Sequence, residues 1–383
     1  MKKAVVIAFI AAILSTSSTI AAFATAKAGA ACSKAGLTSI VSGKKYTCSK
    51  LGNKLIWDKG IEVSSKVFPA TPTSFANLYQ NRSGIAYAAW KSTADSIAQG
   101  KSNIVELKIY IGPNTIPPKY KTPEIALSLV SRAFSKYKTP ENVQIIQYSL
   151  RDIKWAENKL KSILDENMYN ELNRNENGHL VDSNCTKTDC FGAKQVSTNS
   201  GIAFILQGVP LGNNNDPLRI ARWELGQLEA HEFMHAMQRA TITGQQTKEW
   251  PNRWIIEGSA ELAQNLVMSY KSYDEYLKWR KLDSKDLYGI NTRITKAFMT
   301  NYLDINYIED CSDSYNPCYQ YNLGSRIIEI LVALKGPGVM LDLFKESALQ
   351  GFGPAFESIF NISWSEAAPI INRTIVELFQ SGE

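Results

Sequence analysis

Histidine is scarce in this chain, with three in 383 residues, and cysteine occurs only six times. The sequence also lacks a Lys/Arg block, an internal repeat, a low-complexity tract and any C-x-x-C pair. Each absence excludes something. Without a basic block, the positive charge reads as a solvated surface rather than a phosphate-binding one, and no nucleic-acid partner is expected. Without C-x-x-C spacing, the cysteines are poor candidates for a thiolate metal site. At 44% hydrophobic and 20% charged residues the composition is that of ordinary globular protein, long enough for two or more domains.

The amino terminus has the order of an export leader. Lys2 and Lys3 precede the uncharged apolar run Ala4 to Leu14, and Ala22-Phe23-Ala24 and Ala26-Lys27-Ala28 both satisfy the small-x-small rule for cleavage. Residues 1–28 are therefore expected to be a signal peptide, making the mature chain secreted or displayed at the cell surface. A membrane partner enters only if the segment stays uncleaved, and the polar run Ser15 to Thr19 argues against an anchor. Losing residues 1–28 removes three lysines and lowers the formal net charge from +6 to +3. In an exported chain six cysteines predict disulfides, and proximity pairs Cys32 with Cys48, Cys185 with Cys190, and Cys311 with Cys318.

Residues 29–60 read as a small cysteine-bridged β-rich unit, punctuated by Gly36, Gly43, Gly52 and Gly60. Residues 61–100 read as a Pro/Ser/Thr linker followed by a helix, and residues 101–383 as the main domain. Its first part alternates strands (residues 103–111, 143–150 and 201–209) with helices (123–138 and 152–165). Residues 173–200 read as a polar loop, and His179 within it as a surface residue. A long helix is expected from about Pro217 to Ala240, with the rest of the chain helical beyond it.

That long helix carries His231-Glu232-Phe233-Met234-His235. Imidazoles four residues apart on a helix face the same way and can reach one metal ion, with the intervening carboxylate beside it. Chance would give this pattern roughly once in a thousand chains of such composition. Catalytic zinc needs a third protein ligand and leaves its fourth position to water. The best candidate is Glu257, in Trp254-Ile255-Ile256-Glu257-Gly258-Ser259-Ala260-Glu261. Glu261 shares its helix face and is placed to hydrogen-bond a ligand histidine, while Gly258 removes a side chain where helices approach.

Together HEFMH at 231–235, WIIEGSAE at 254–261 and Tyr321-Asn322-Leu323-Gly324 resemble the gluzincin metallopeptidases, especially the catalytic modules of aminopeptidase-N-like enzymes and bacterial collagenases. The resemblance covers roughly residues 100–383. It implies an α+β, thermolysin-like two-lobed fold, with a mixed-sheet upper lobe and a helical lower lobe. It also implies one Zn2+ on His231, His235 and Glu257, Glu232 as general base, and Tyr321 as a donor to the oxyanion, with Tyr319 a nearby substitute. The partner would be a peptide or protein substrate. Ile256 stands where aminopeptidases usually have asparagine, and no G-x-M-E-N segment is present, so an endopeptidase is expected over an exopeptidase. The strand over residues 201–209 would either rim the cleft and pair with an extended peptide or lie buried. Two alternatives stay open: a catalytically inactive binding or attachment protein that retains the fold, and a zinc hydrolase of a non-peptide substrate.

Overall fold

The structure, a computed structural model, describes residues 26–62, 68–117, 123–198, 201–211, 222–287, 294–304 and 319–382. Most of the expected leader, the start of the Pro217 helix and the Cys311/Cys318 pair lie outside the described residues. The architecture is mixed α+β with two sheets. No helix among the described residues is long and apolar enough to cross a membrane. The chain divides into two compact units, residues 1–67 and 68–383.

In the first unit β1 (Thr38–Val41), β2 (Lys44–Leu51), β3 (Lys54–Trp57) and β4 (Ile61–Glu62) form an antiparallel sheet in which β1, β3 and β4 all pair with β2. Ser42 and Gly43 both take positive φ, the combination that a two-residue hairpin of the primed type requires. Cys48, Trp57 and Ala26 make up its buried core, with Tyr46 packed against them. So small a core leans on its covalent staple, the Cys32–Cys48 disulfide.

The second unit contains a four-stranded sheet in the order β5 (Glu106–Ile111), β6 (Asn142–Tyr148), β8 (Ile202–Gly208), β7 (Ala193–Ser197). β5, β6 and β8 run parallel, and β7 is antiparallel at the edge. The inner strands NVQIIQY and IAFILQG are almost wholly buried, as strands covered on both faces must be. Val143, Ile145, Ala203 and Ile205 share a core with the motif helix Gln227–Ile242. Ile146, Tyr148, Phe204 and Leu206 pack with the helices Ile153–Ile163 and Glu166–Asn175.

Two local expectations are corrected, and one left open is decided. The residues 173–200 read as loop contain β7, whose sequence AKQVS has too little apolar alternation to announce itself, while the expected Cys185–Cys190 disulfide is present. The strand over residues 201–209 is β8 and takes the buried alternative, interior to the sheet, with β7 at the edge beside it. The motif helix does not run unbroken from Pro217: Gly226 adopts φ +83°, and the helix restarts at Gln227. Glycine enters that left-handed conformation without the steric penalty a Cβ imposes.

Downstream come the glutamate helix Arg253–Met268, the helix Tyr273–Asp283, the tyrosine helix Tyr319–Lys335 and three further helices to Ser381. The glutamate helix packs between the motif helix and the tyrosine helix. Its contact with the latter is made where Gly258 meets Gly324. A Cβ on Gly258 would lie 2.4 Å from the Gly324 carbonyl carbon, so only glycine permits this approach.

Candidate metal centre

The motif helix is amphipathic in an unusual sense: both sides are buried, one apolar and one ionisable. Ala230, Phe233, Ala236 and Met237 turn into the core, while His231 and His235 turn toward Glu257 of the glutamate helix and Glu232 meets β7 at Gln195. The two imidazole rings lie 4.9 Å apart, centre to centre, at 80°. Glu257 Oε2 stands 3.5 Å from His231 Nε2 and 3.2 Å from His235 Nε2. Donors held tetrahedrally by one ion at about 2.1 Å are themselves about 3.4 Å apart. Both Glu257–imidazole distances match that spacing, and all three donor atoms lie within 4.8 Å of one another. Among the described residues this is the one His/Cys/Asp/Glu group with metal-binding geometry.

The second ring nitrogens are also engaged. His231 Nδ1 faces Glu261 Oε2 at 3.4 Å, and His235 Nδ1 is 2.9 Å from Gln238 Oε1. With Nδ1–H donating to Gln238, the His235 lone pair is left on Nε2, toward Glu257. Gln238 is itself fixed, its amide donating to the Ile256 carbonyl at 3.0 Å, directly before Glu257. One side chain therefore couples the orientation of a histidine on one helix to the backbone that carries the acid on the next.

The field at this point favours positive charge. Burial by itself would depress the His231 imidazole, yet Glu257, Glu261 and Glu232 raise it to about 10. Burial would raise the Glu257 carboxyl, but His231 and His235 hold it well below the usual carboxylate range. Glu261 is likewise lowered against its burial by His231 and by Arg222, whose guanidinium is 3.7 Å away. Neutral imidazoles flanked by such acids are what a divalent cation requires. The donor set therefore fits a metal ion.

Glu232 is buried beside the histidines, and burial raises its carboxyl while the two imidazoles oppose the shift. It accepts a hydrogen bond from the backbone N–H of Gln195 on β7. Thr198 N–H bonds Ile202 O and Gly208 N–H bonds Gly192 O, so the even residues of β7 pair inward with β8. By alternation the backbone groups of Gln195 and Ser197 face outward, along the edge that no described strand covers. Tyr321 stacks near His231, with ring centres 6.2 Å apart, and burial followed by the Glu257 charge pushes its phenol up to about 12. Tyr319 instead packs into the core against Phe298 and Tyr302. His179 is on the surface with Asp182 as its partner.

The structure brings His231, Glu232, His235, Glu257, Glu261 and Tyr321 together. Sequence reasoning missed the roles of Gln238, Gln195 and Arg222. The i, i+3 spacing of His235 and Gln238 was the one available signal, whereas the contact from Gln195 is made by backbone and leaves no trace in residue type. Comparison of the chain with protein-family models, with curated proteins and with solved structures gives no match.

Proposed function

We propose that this chain is an exported zinc-dependent peptidase of the gluzincin type, acting as an endopeptidase on extended peptides. The observation that supports it most is the triangle of His231, His235 and Glu257 donors with Glu232 beside it. Zinc bound there would supply Lewis acidity and bring the pKa of a water toward about 7. The Glu232 carboxylate takes the proton from the attacking water and returns it to the departing amine nitrogen. Burial suits it to this task, because a raised carboxyl holds the proton until the amine leaves. The Tyr321 hydroxyl remains protonated at neutral pH and donates to the carbonyl oxygen as charge develops on it. Along the edge of β7 that no described strand covers, the Gln195 carbonyl and the Ser197 backbone groups can bind an extended peptide by its main chain rather than by a particular side chain, the Gln195 N–H being held by Glu232. Two disulfides fit export into an oxidising compartment.

Metal analysis combined with digestion of a peptide library, with and without chelator, tests this reading. Glu232→Gln should keep the metal and lose hydrolysis, whereas Glu257→Ala should lose the metal. Cleavage only at free amino termini would replace endopeptidase by exopeptidase. Full activity in both variants would refute the assignment of the site.

A further inference from the structure

The net positive charge of this chain belongs to one small unit. Residues 26–62 hold seven lysines against Asp58 and Glu62, a net charge of +5, whereas residues 63–383 hold 33 basic and 34 acidic side chains. The positive charge, which forms no Lys/Arg block in the sequence, is thus concentrated once the two units are separated. Asp58 is also committed within the unit, accepting from the backbone N–H groups of Thr47 and Gly60 at 3.0 and 2.9 Å.

Register places the lysines among exposed aliphatic side chains. Lys45 of β2 is opposite Ile40 of β1 and Ile61 of β4, forming one row across three strands. Further along the same face of β2, Leu51 is opposite Lys54 of β3. Ile40 is 66% exposed, Leu51 69% and Ile61 73%, although each stands in or at the end of a strand where polar residues would serve solubility. The opposite face, with Cys48, Tyr46 and Trp57, is the one that forms the core.

We infer that this outer sheet face docks on an anionic lipid bilayer, the aliphatic side chains entering the headgroup boundary while Lys45 and Lys54 meet the lipid charge. Charge complementarity selects an anionic partner, and each lysine near such a surface contributes on the order of fivefold in affinity. The isoleucines and leucine select lipid over a soluble polyanion, which has no apolar layer to receive them. The docking is independent of the chemistry proposed for the metal centre.

The test is sedimentation of residues 26–383 with large unilamellar vesicles of phosphatidylglycerol and phosphatidylcholine in equal parts, against vesicles of phosphatidylcholine alone. The anionic vesicles should bind at least tenfold more tightly. Lys45→Glu with Lys54→Glu should remove that advantage, and Ile40→Ser with Ile61→Ser should weaken binding at least fivefold at unchanged charge. These exposed positions leave the core untouched, and near-UV circular dichroism checks that the fold persists. Equal binding to both vesicle types would overturn the inference. So would isoleucine variants that bind like the parent while soluble polyphosphate displaces both, since a polyanion site would then explain the charge.

Discussion

Gly258→Ala is the substitution for which the structure gives the clearest magnitude. The added Cβ would stand 2.4 Å from the Gly324 carbonyl carbon, 2.8 Å from its oxygen and 2.8 Å from the Ser325 nitrogen. All three are backbone atoms, so no rotamer change relieves the overlap. Ordinary carbon contacts begin near 3.5 Å, and the glutamate and tyrosine helices must therefore separate by about 1 Å. Such overpacking costs about 1–3 kcal/mol. The displacement also reaches the site, because Glu257 is the neighbouring residue and Tyr321 is one turn before Gly324. Metal bonds tolerate errors of only about 0.2 Å, so affinity should fall at least tenfold, in the range seen for damaged supporting contacts. Gly324→Ala is the internal comparison. Its Cβ would meet Trp254 at 3.1 and 3.2 Å and the Gly258 Cα at 3.3 Å, an overlap of a few tenths of an ångström. Thermal melting in chelator reports the packing, and competition with a chromophoric chelator reports the affinity. A Gly258→Ala protein that melts with the parent and binds metal equally well, or one that is less perturbed than Gly324→Ala, would refute the close approach as the reason for glycine.

Gln238→Leu keeps the volume but removes the clamp on His235 Nδ1 and leaves the Ile256 carbonyl without its donor, so metal affinity should drop about 10- to 100-fold; unchanged affinity in a folded variant would show the clamp to be idle. Tyr321→Phe should retain metal and lose about 3 kcal/mol of transition-state stabilisation, while Tyr319→Phe, altered in the core, should leave the rate within a few fold. Stability should decline from pH 5 to pH 8. Burial raises Glu229 and Asp283 to about 7, the Glu261 charge adding to the shift at Asp283. The unfolded chain releases these protons first, so the stabilisation is complete below about pH 4 and is lost as pH rises through 7. Urea midpoints at the two pH values measure it, Glu229→Gln should flatten the slope, and stability that climbs across this interval would contradict the assignment.

Much of the site was legible because metal chemistry restricts residue type and helices restrict spacing. His231, Glu232 and His235 follow from a five-residue pattern, and Glu257 and Glu261 from an i, i+4 pair that encloses Gly258. The apolar back of the motif helix, Ala230, Phe233, Ala236 and Met237, was equally visible as a face. What escaped has no periodic signature. β7 is five residues long and mostly polar, and its contribution at Gln195 is a backbone N–H. The interruption at Gly226 depends on one dihedral angle, and a helical pattern tolerates an isolated glycine in either state. The buried Gln147–Gln207–Glu229 chain joins two strands to the motif helix across wide sequence gaps, and no local rule brings its members together.

The same limitation explains why the placement of charge behind the ligands had to come from three dimensions. Glu261 and Asp283 are buried acids in hydrogen-bond contact, and two adjacent carboxylates cannot both ionise cheaply. Arg222 and His231 stabilise the negative form of Glu261, while burial and the Glu261 charge raise Asp283 against the pull of Arg222 and Arg326. Asn265 contacts Asp283 from the same helix as Glu261, and Gln227 contacts Asn265 from the first turn of the motif helix. Beyond it, Glu329 is neutralised separately by Arg280 and Arg326, with Tyr276 as a further donor. The arrangement gives Glu329 to two arginines, directs Glu257 at the imidazoles, and leaves Glu261 shared between His231 and Arg222. A helical lobe stabilised only by apolar packing would have no need for this division. A centre that must hold a cation against desolvation does, because each unpaired acid nearby would otherwise protonate and stop attracting it.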